Sequence, residues 1–423
     1  MLRPVPLRRL REVASGPAAE RIVEVSAFVA APLAGMTLAG LGCEVLRVDP
    51  PGGGLDFARW PVTASGESIF WAGLNRGKRS VVIDYRREEG RELVAAMVVA
   101  GGAEGGVFLT NLGAHGVLGH ESLRGRRSDV VSVEIEGYVD GSSAVDYTIA
   151  AGTGIPSITG PKGHEGPVNS PLPTWDIATG LNAAMAAREA LRRRERTGSG
   201  ARVRVALADV ALGLLSSLGF VDEARLAVEP RTRDGNYLYG AFGRDFLLAD
   251  GSRVMIVAIT LKQWRALVAA LGMADDVGDL ERSSGLDLDR EGDRFRARRQ
   301  IATLVERWCA TRGLVVVAEA LGAHRVCWGP YGSASSFADT VAGERAGDAA
   351  AAVRPGSGLA RDVGLPFRIG DDVPRLLGAA PALGQDTEPV LAGLLGLSTR
   401  EIGRLYDEGL VVGPGNGMRA GRG

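Results

Sequence analysis

Histidine and cysteine side chains are the commonest protein ligands of transition metals. Four histidines and three cysteines occur among the 423 residues. Their spacing offers no paired ligands and no C-x-x-C motif, so the sequence predicts neither a metal site nor a disulfide framework. Three scattered cysteines are typical of a protein from the reducing cytoplasm. The positions are His115, His120, His164, His324, Cys43, Cys309 and Cys327.

Several common catalytic motifs are absent from the sequence. It has no G-x-S-x-G elbow, no Walker loop and no G-x-G-x-x-G after its first strand, which argues against an α/β-hydrolase, a P-loop enzyme and a standard dinucleotide site. Two other segments offer groups to a ligand. The loop Pro50–Trp60 holds three adjacent glycines, and a basic cluster before a predicted strand could bind phosphates. A flexible loop and an ordinary surface cluster explain them equally well; the cluster is Asn75, Arg76, Lys78 and Arg79.

Size and charge restrict the class of protein further. The chain is long enough for two or three domain-sized units. Its 49 basic and 50 acidic residues nearly balance, so no global field favours nucleic acid or an anionic membrane. The apolar stretch Ser26–Leu46 is interrupted by Pro32 and three glycines, which favours a strand, turn and helix over a membrane span. A small charged metabolite is the expected partner.

The first part of the chain alternates between strand and helix patterns. The β-rich run Arg21–Val29 leads into a predicted helix over Leu33–Leu41, and the strand Cys43–Asp49 follows. Two strands joined by a helix pair in parallel. The alternation predicts an open, Rossmann-like parallel sheet of the α/β class, covered by helices on both faces. Further elements are the strands Ser80–Asp84, Gly106–Thr110 and Val130–Ile135 and the helix Glu88–Ala100.

A long helix is predicted over Thr179–Arg196, and the strand Ala201–Leu207 follows it. Asp176 lies shortly before this helix, in the segment Leu172–Gly180. A carboxylate there is near the positive end of the helix dipole, which favours its ionised form. The same spacing fits a simple capping residue. The pattern therefore leaves open whether Asp176 performs chemistry.

The sequence pattern changes after about Val221. The segment Gly235–Ile259 is predicted to form an antiparallel hairpin with Asp250 and Gly251 at its turn, and from Ser335 the chain resembles an extended connector. We therefore predict three parts. Residues 1–222 form the N-terminal part of a large Rossmann-like domain, 223–335 a smaller α+β domain, and 336–423 a connector and C-terminal part that returns to the large domain.

Five segments, in order along the chain, resemble the CaiB/BaiF family, the family III CoA-transferases. The first, EVSAFVAAPLAGMTLAGLGCEVLRVDPPGGG, is followed at the family's spacing by LNRGKRSVVIDYRREEGREL. The others are TNLGAHGVLG, RRRERTGSGARVRVALADVAL and ALGQDTEPVLAGLLGL. Together the segments are Glu24–Gly54, Leu74–Leu93, Thr110–Gly119, Arg192–Leu212 and Ala382–Leu397.

The resemblance implies roles for particular residues. The family's nucleophilic aspartate lies a little before the long helix, at the position of Asp176. Asp146 contacts substrate or caps a helix, two alternatives that stay open. Tyr237 and Tyr239 are candidates for closing the site from the second domain, although tyrosines in a strand are more often packing residues. The positions implied on the CoA side are Val29, Arg47, Asn75, Lys78, Arg79 and Asn111.

The resemblance also implies the substrate class. The substrate is expected to be the acyl-CoA thioester of a small dicarboxylic acid, so that CoA is part of the substrate and no cofactor is expected. The protein is expected to be an intertwined homodimer. The sequences of the matching segments are most similar to those of a branch of the family that moves CoA between the two carboxyl groups of one molecule. An intermolecular transferase and a non-catalytic CoA-binding homologue are alternatives. An α-methylacyl-CoA racemase is disfavoured, because Val145 stands where racemases carry a histidine.

Overall fold

The computed structural model describes residues 20–227, 231–344, 364, 366–367 and 376–414. These residues form two compact units. The smaller unit comprises Ile155–Val168 and Arg231–Glu344, and the larger unit comprises the other described residues.

The described residues form ten strands and seventeen α-helices, numbered along the chain. The strands are β1 (Arg21–Val25), β2 (Glu44–Asp49), β3 (Arg79–Ile83), β4 (Val107–Thr110), β5 (Val131–Glu136), β6 (Ala201–Ala206), β7 (Phe242–Leu247), β8 (Arg253–Ala258), β9 (Cys327–Pro330) and β10 (Val411–Val412). The helices are α1 (Ala30–Gly40), α2 (Ile69–Leu74), α3 (Glu88–Val99), α4 (His120–Arg126), α5 (Asp146–Gly152), α6 (Ile155–Ile158), α7 (Thr174–Thr197), α8 (Leu207–Ser217), α9 (Phe220–Leu226), α10 (Leu261–Leu271), α11 (Ala274–Ser284), α12 (Glu291–Arg296), α13 (Arg298–Cys309), α14 (Leu314–Ala323), α15 (Ala334–Glu344), α16 (Thr387–Leu395) and α17 (Thr399–Asp407).

The larger unit is built on one seven-stranded sheet. Its strand order is β10-β3-β2-β1-β4-β5-β6. All neighbouring strands pair in parallel except the edge strand β10, which runs antiparallel to β3. The predicted Rossmann-like parallel sheet is therefore confirmed.

Both faces of the sheet are covered because its strands alternate between two sets of side chains. On β1, Val23 and Val25 belong to a core that also contains side chains of α3, α16 and α17. Glu24 points to the opposite face, where it contacts Gly35 of α1. Helix α7 packs against α1 and lies beside β5 and β6. Since the chain order reverses between β1 and β4, the loops after these two strands meet at a topological switch point, where sheets of this type bind ligands.

The smaller unit contains an antiparallel sheet, β7-β8-β9, packed against helices α10 to α14. The segment Ile155–Val168 belongs to this unit, although the sequence-based division assigned it to the large domain. Hydrogen bonds explain the difference. The Arg233 guanidinium donates to the carbonyl oxygen of Ser157 at 2.8 Å, and Gly235 N–H donates to the carbonyl oxygen of Gly160 at 3.0 Å.

Two further predictions differ from the structure. The chain was expected to run as an extended connector from Ser335, but its first residues there belong to helix α15. Most of the rest of that segment lies outside the described residues. The hairpin is shorter than expected, because β7 begins only at Phe242. In the part of the chain that the structure describes, no helix combines the length and apolar character that crossing a membrane requires.

Candidate active site

The loop that follows β1 is held in an unusual conformation. Phe28 has a φ of 65°, in the left-handed region that non-glycine residues rarely adopt. Its N–H donates to Asp56 Oδ2 at 2.9 Å. The neighbouring Ala27 is bound on both sides by Asn111, whose Oδ1 accepts from Ala27 N at 2.9 Å and whose Nδ2 donates to Ala27 O at 2.8 Å. Since Asn111 directly follows β4, it ties together the two loops at the switch point.

Helix α1 begins directly after this loop, with Val29 at its N-cap position, and no side chain caps it. The first N–H groups of any helix have no acceptor within the helix. Those at the start of α1 therefore point out of its N-terminus, with Pro32 contributing none. Such a group of donors at the positive end of a helix suits an oxyanion.

Asp176 lies inside the first turn of α7, because the helix begins at Thr174, five residues earlier than predicted. A carboxylate from another helix explains the early start. Asp146 Oδ2 accepts hydrogen bonds from Trp175 N at 2.6 Å and from Asp176 N at 3.1 Å. Asp146 is itself buried at the first position of α5. Asp146 is thus a helix cap, on α7 rather than on its own helix, and its contact with substrate stays a prediction.

The Asp176 side chain is half-buried, and within the described residues no hydrogen-bond donor reaches its carboxylate oxygens. Burial, and to a smaller extent the neighbouring Asp146 charge, together raise the pKa of this carboxyl group to about 6. These effects outweigh the helix dipole, which alone would lower the pKa. At neutral pH Asp176 is mostly ionised but poorly solvated, which suits a nucleophile.

Close packing of α7 on α1 fixes the direction in which Asp176 faces. A Cβ built on Gly180 would lie 2.6 Å from the carbonyl oxygen of Ala30, so these two backbones touch. Asp176 is four residues before Gly180 and therefore lies on the same face of α7. The carboxylate thus faces the loop Phe28–Ala30 and the start of α1.

Three of the predicted CoA contacts, Arg47, Asn75 and Lys78, are engaged within the protein. Their side chains are buried in an ion cluster on the inner face of the sheet. Glu24 Oε1 accepts from Lys78 Nζ at 2.8 Å and from Arg47 Nη1 at 3.2 Å, and Asn75 Oδ1 accepts from Lys78 Nζ at 2.9 Å. Side chains buried and paired in this way present no surface to a phosphate, and loss of one partner would leave a buried charge uncompensated.

Arg79, another predicted CoA contact, is also engaged within the protein. It donates to Glu44 Oε1 at 2.6 Å and to Asp386 Oδ1 at 3.1 Å. The second bond ties β3 to the C-terminal part of the chain. Arg79 therefore has a structural partner on each side.

Tyr237 and Tyr239 lie in the smaller unit, before β7 rather than in a strand. The Tyr237 hydroxyl accepts from Arg244 Nη1 at 3.1 Å. Tyr239 packs edge-on against Phe295, with ring centroids 4.9 Å apart. Both rings thus have packing partners in that unit, and their contact with substrate stays a prediction.

Two important acidic residues were missed from the sequence. Glu24 is an acid inside an otherwise apolar strand pattern, which signals a buried partner. Asp56 was included only as part of the loop Pro50–Trp60. Its Oδ1 accepts from Arg47 Nη2 at 3.4 Å while its Oδ2 holds Phe28. Asp56 therefore links the ion cluster to the strained loop.

No metal site accompanies this arrangement among the described residues, where no group of three or more His, Cys, Asp or Glu side chains is placed to hold a metal ion. The arrangement combines a half-buried carboxylate of raised pKa with backbone donors, two features that suit acyl transfer through a covalent intermediate.

The chain belongs to CoA-transferase family III, whose sequence profile matches residues 19–387. It is 47% identical to the 2-methylfumaryl-CoA isomerase of Chloroflexus aurantiacus over 93% of this chain and 97% of that protein. It is also 30% identical to the succinyl-CoA–D-citramalate CoA-transferase of the same organism, over 60% of this chain and 64% of that protein. The crystal structure of a CaiB/BaiF family protein from Brucella suis superposes with a TM-score of 0.71 at 25% identity, covering 89% of this chain and 99% of that one.

Proposed function

We propose that this protein is a 2-methylfumaryl-CoA isomerase, also called mesaconyl-CoA C1–C4 CoA-transferase, with Asp176 as its covalent nucleophile. The observation that carries the proposal is the half-buried Asp176 carboxylate, free of donors among the described residues and facing the uncapped start of α1. The 47% identity to the isomerase of Chloroflexus aurantiacus supports the choice of substrate.

The first half of the proposed reaction transfers CoA to the enzyme. The Asp176 carboxylate attacks the C1 thioester carbonyl, the CoA thiolate leaves, and a mixed anhydride joins Asp176 to mesaconate. The thiolate then attacks the aspartyl carbonyl of that anhydride. The C1 carboxylate of mesaconate leaves, and CoA remains bound to Asp176 as a thioester.

The second half runs the same chemistry on the other carboxyl group. The C4 carboxylate of mesaconate attacks the aspartyl carbonyl of the enzyme thioester. The thiolate leaves, and a new anhydride joins Asp176 to C4 of mesaconate. The thiolate attacks the C4 carbonyl, so that the C4 thioester forms and the Asp176 carboxylate is regenerated. No net proton is gained or lost.

Two features of the site support this sequence of steps. Each step passes through a tetrahedral oxyanion, for which the N–H groups at the start of α1 are the proposed donors. A dicarboxylate retained in the site presents its second carboxylate at a high effective concentration, so no external acceptor acid has to bind. The protein is further proposed to work in the cytoplasm.

The test is to incubate the purified protein with mesaconyl-C1-CoA alone and to separate the CoA esters by chromatography with mass detection. Formation of the C4 thioester at unchanged mass is expected. Conversion only after an acceptor acid is added would indicate an intermolecular transferase instead. Binding without conversion under either condition would indicate a non-catalytic homologue.

Variants at Asp176 test the nucleophile separately. Asp176→Ala and Asp176→Asn should abolish turnover while leaving the circular dichroism spectrum unchanged. Asp222→Asn, which removes an exposed carboxylate from the first turn of α9, is the matched control and should keep normal activity. Normal turnover by either Asp176 variant would refute its assignment.

A further inference from the structure

Arg59 lies in the loop between β2 and α2, with its guanidinium beside two aromatic rings. The guanidinium carbon is 5.5 Å from the centroid of the Phe28 ring and 5.2 Å from that of the Phe70 ring. Cation–π contacts of this kind orient a guanidinium without using its N–H donors. The side chain is held in place and yet remains exposed.

The backbone of Arg59 is fixed as well. Arg59 N donates to the carbonyl oxygen of Asp56 at 3.1 Å, and Ser68 Oγ donates to the carbonyl oxygen of Arg59. Ser68 in turn caps α2 by accepting from Trp71 N at 3.0 Å. The position of this arginine is therefore set on both sides by the protein.

The Arg59 guanidinium has no acceptor within the described residues: none of their carboxylate or carbonyl oxygens forms a hydrogen bond or ion pair with it. The contrast with the nearby Arg47 is direct, because Arg47 pairs with Glu24, Asp49 and Asp56. An exposed guanidinium with a fixed direction and five unused N–H donors suits an external oxyanion.

Arg59 also lies beside the loop that faces the nucleophile. Its ring partner Phe28 is the residue in the left-handed conformation, and strained residues of this kind concentrate at functional sites. Phe28 lies directly before Val29, the N-cap residue of α1, and Asp176 faces the start of that helix. The arginine thus places a positive charge next to the wall of the proposed site.

We propose that Arg59 binds an anionic group of the acyl-CoA substrate through paired N–H···O bonds. This inference rests on the proposed function. The oxyanion is either the free carboxylate of the dicarboxylic acyl group or a phosphate of CoA, since both match the planar donor fork of arginine. If it is the free carboxylate, Arg59 is a specificity residue for dicarboxylic acyl groups.

The experiment compares the binding of succinyl-CoA, butyryl-CoA and free CoA by calorimetry to the wild-type protein and to Arg59→Met. Succinyl-CoA carries a free carboxylate and butyryl-CoA does not. The two carboxyl groups of succinate are equivalent, so intramolecular CoA transfer regenerates the same compound. Binding is therefore measured whether or not Asp176 acts as nucleophile, and the two proposals fail independently.

Arg59→Met is expected to weaken succinyl-CoA binding by about 10- to 100-fold, as for loss of a charge-assisted pair. Unchanged butyryl-CoA and free CoA binding identifies the carboxylate, whereas an equal loss for all three probes identifies a CoA phosphate. Unchanged binding of all three probes overturns the proposal.

Two further variants serve as a control and as a substitute for Arg59→Met. Arg124→Met removes an exposed arginine of α4 and should leave all three affinities unchanged. Should Arg59→Met fail to fold, Phe70→Leu removes one ring from beside the guanidinium and should reproduce the same pattern at smaller size. Unchanged binding of all three probes to Phe70→Leu would then count against the proposal.

Discussion

At the scale of single residues, the carboxylates of Asp176 and Asp146 determine how activity should depend on pH. Attack on a thioester requires ionised Asp176, whose pKa is raised to about 6 by burial and then by Asp146. We therefore expect kcat/KM for mesaconyl-C1-CoA to fall as the pH decreases through about 6. A pH–rate profile between pH 4.5 and 8, on the order of ten points, measures this limb. A flat profile down to pH 5 would contradict the assignment.

The charge of Asp146 can be removed while its capping oxygen is kept. Asp146→Asn should lower the pKa of Asp176, since the neighbouring negative charge is one of the two causes that raise it. We expect the acidic limb of the rate profile to move to lower pH, and by less than the full shift because burial is the larger cause. Asp222→Asn should leave the limb in place. If the limb moved to higher pH in Asp146→Asn, the Asp146 charge would not be a cause of the raised Asp176 pKa.

The raised pKa also has a cost in stability. The folded state holds the Asp176 proton more tightly than the unfolded state, because the pKa of the carboxyl group is about 6 when folded and near 3.8 when unfolded. This group therefore lowers the free energy of unfolding as the pH rises from 3.8 to about 6. Above pH 6 the penalty is complete. Asp176→Asn should therefore raise the free energy of unfolding at pH 8 on the order of 1 kcal/mol, allowing for partial exposure, and by much less at pH 4.5. Thermal unfolding at both pH values decides the matter; an equal gain at both would exclude titration of Asp176 as its cause.

At the scale of elements, the contact between α1 and α7 sets the geometry of the site. In Gly180→Ala the new Cβ would meet the carbonyl oxygen of Ala30 at 2.6 Å and Leu33 Cβ at 3.2 Å, so the two helices must separate. We expect a loss of about 1–3 kcal/mol in unfolding free energy and a fall in kcat, because Asp176 moves away from the start of α1.

A second glycine in a helix provides the control for Gly180→Ala. Gly393 lies inside α16, where a Cβ would meet no other atom within 4 Å. Gly393→Ala should stabilise the protein by roughly 0.5–1 kcal/mol, since alanine is the better helix former, and should leave kcat unchanged. Denaturant unfolding and steady-state kinetics on both variants separate the local contact from a general effect of glycine replacement. If Gly180→Ala kept full activity, the α1–α7 contact would not set the position of Asp176.

Elements with a strong local pattern were predictable, and tertiary hydrogen bonds were not. The buried strands β2 to β5 follow from apolar runs and the edge strand β6 from its alternating pattern, and all five lie within two residues of their predicted bounds. The start of α7 was missed because the group that caps it, Asp146, is thirty residues away in sequence. Likewise, Lys78 before a strand has the same local pattern whether it faces a phosphate or, as here, a buried Glu24. Asp176 was found only through resemblance, since spacing alone could not separate a nucleophile from a cap.

At the scale of the whole molecule, the larger unit presents large apolar side chains on three consecutive helices. They are between 40% and 78% exposed in the single chain, and soluble monomers rarely expose so many together. We propose that a second copy of the chain covers them, which agrees with the homodimer implied by the resemblance. The side chains are Leu181 and Met185 of α7, Leu212 and Leu214 of α8, Leu218 just after it, and Leu226 of α9.

Light scattering after size-exclusion chromatography should therefore give twice the 44.2 kDa mass of the chain. The double variant Leu212→Glu/Leu218→Glu places two charges in the apolar surface and should shift the mass toward a single chain or markedly lower the unfolding temperature. Val315→Glu introduces a charge at a residue of α14 that is 72% exposed in the smaller unit, and should do neither. A wild-type protein that stays monomeric at micromolar concentration would leave this apolar surface without the proposed partner and would refute the dimer.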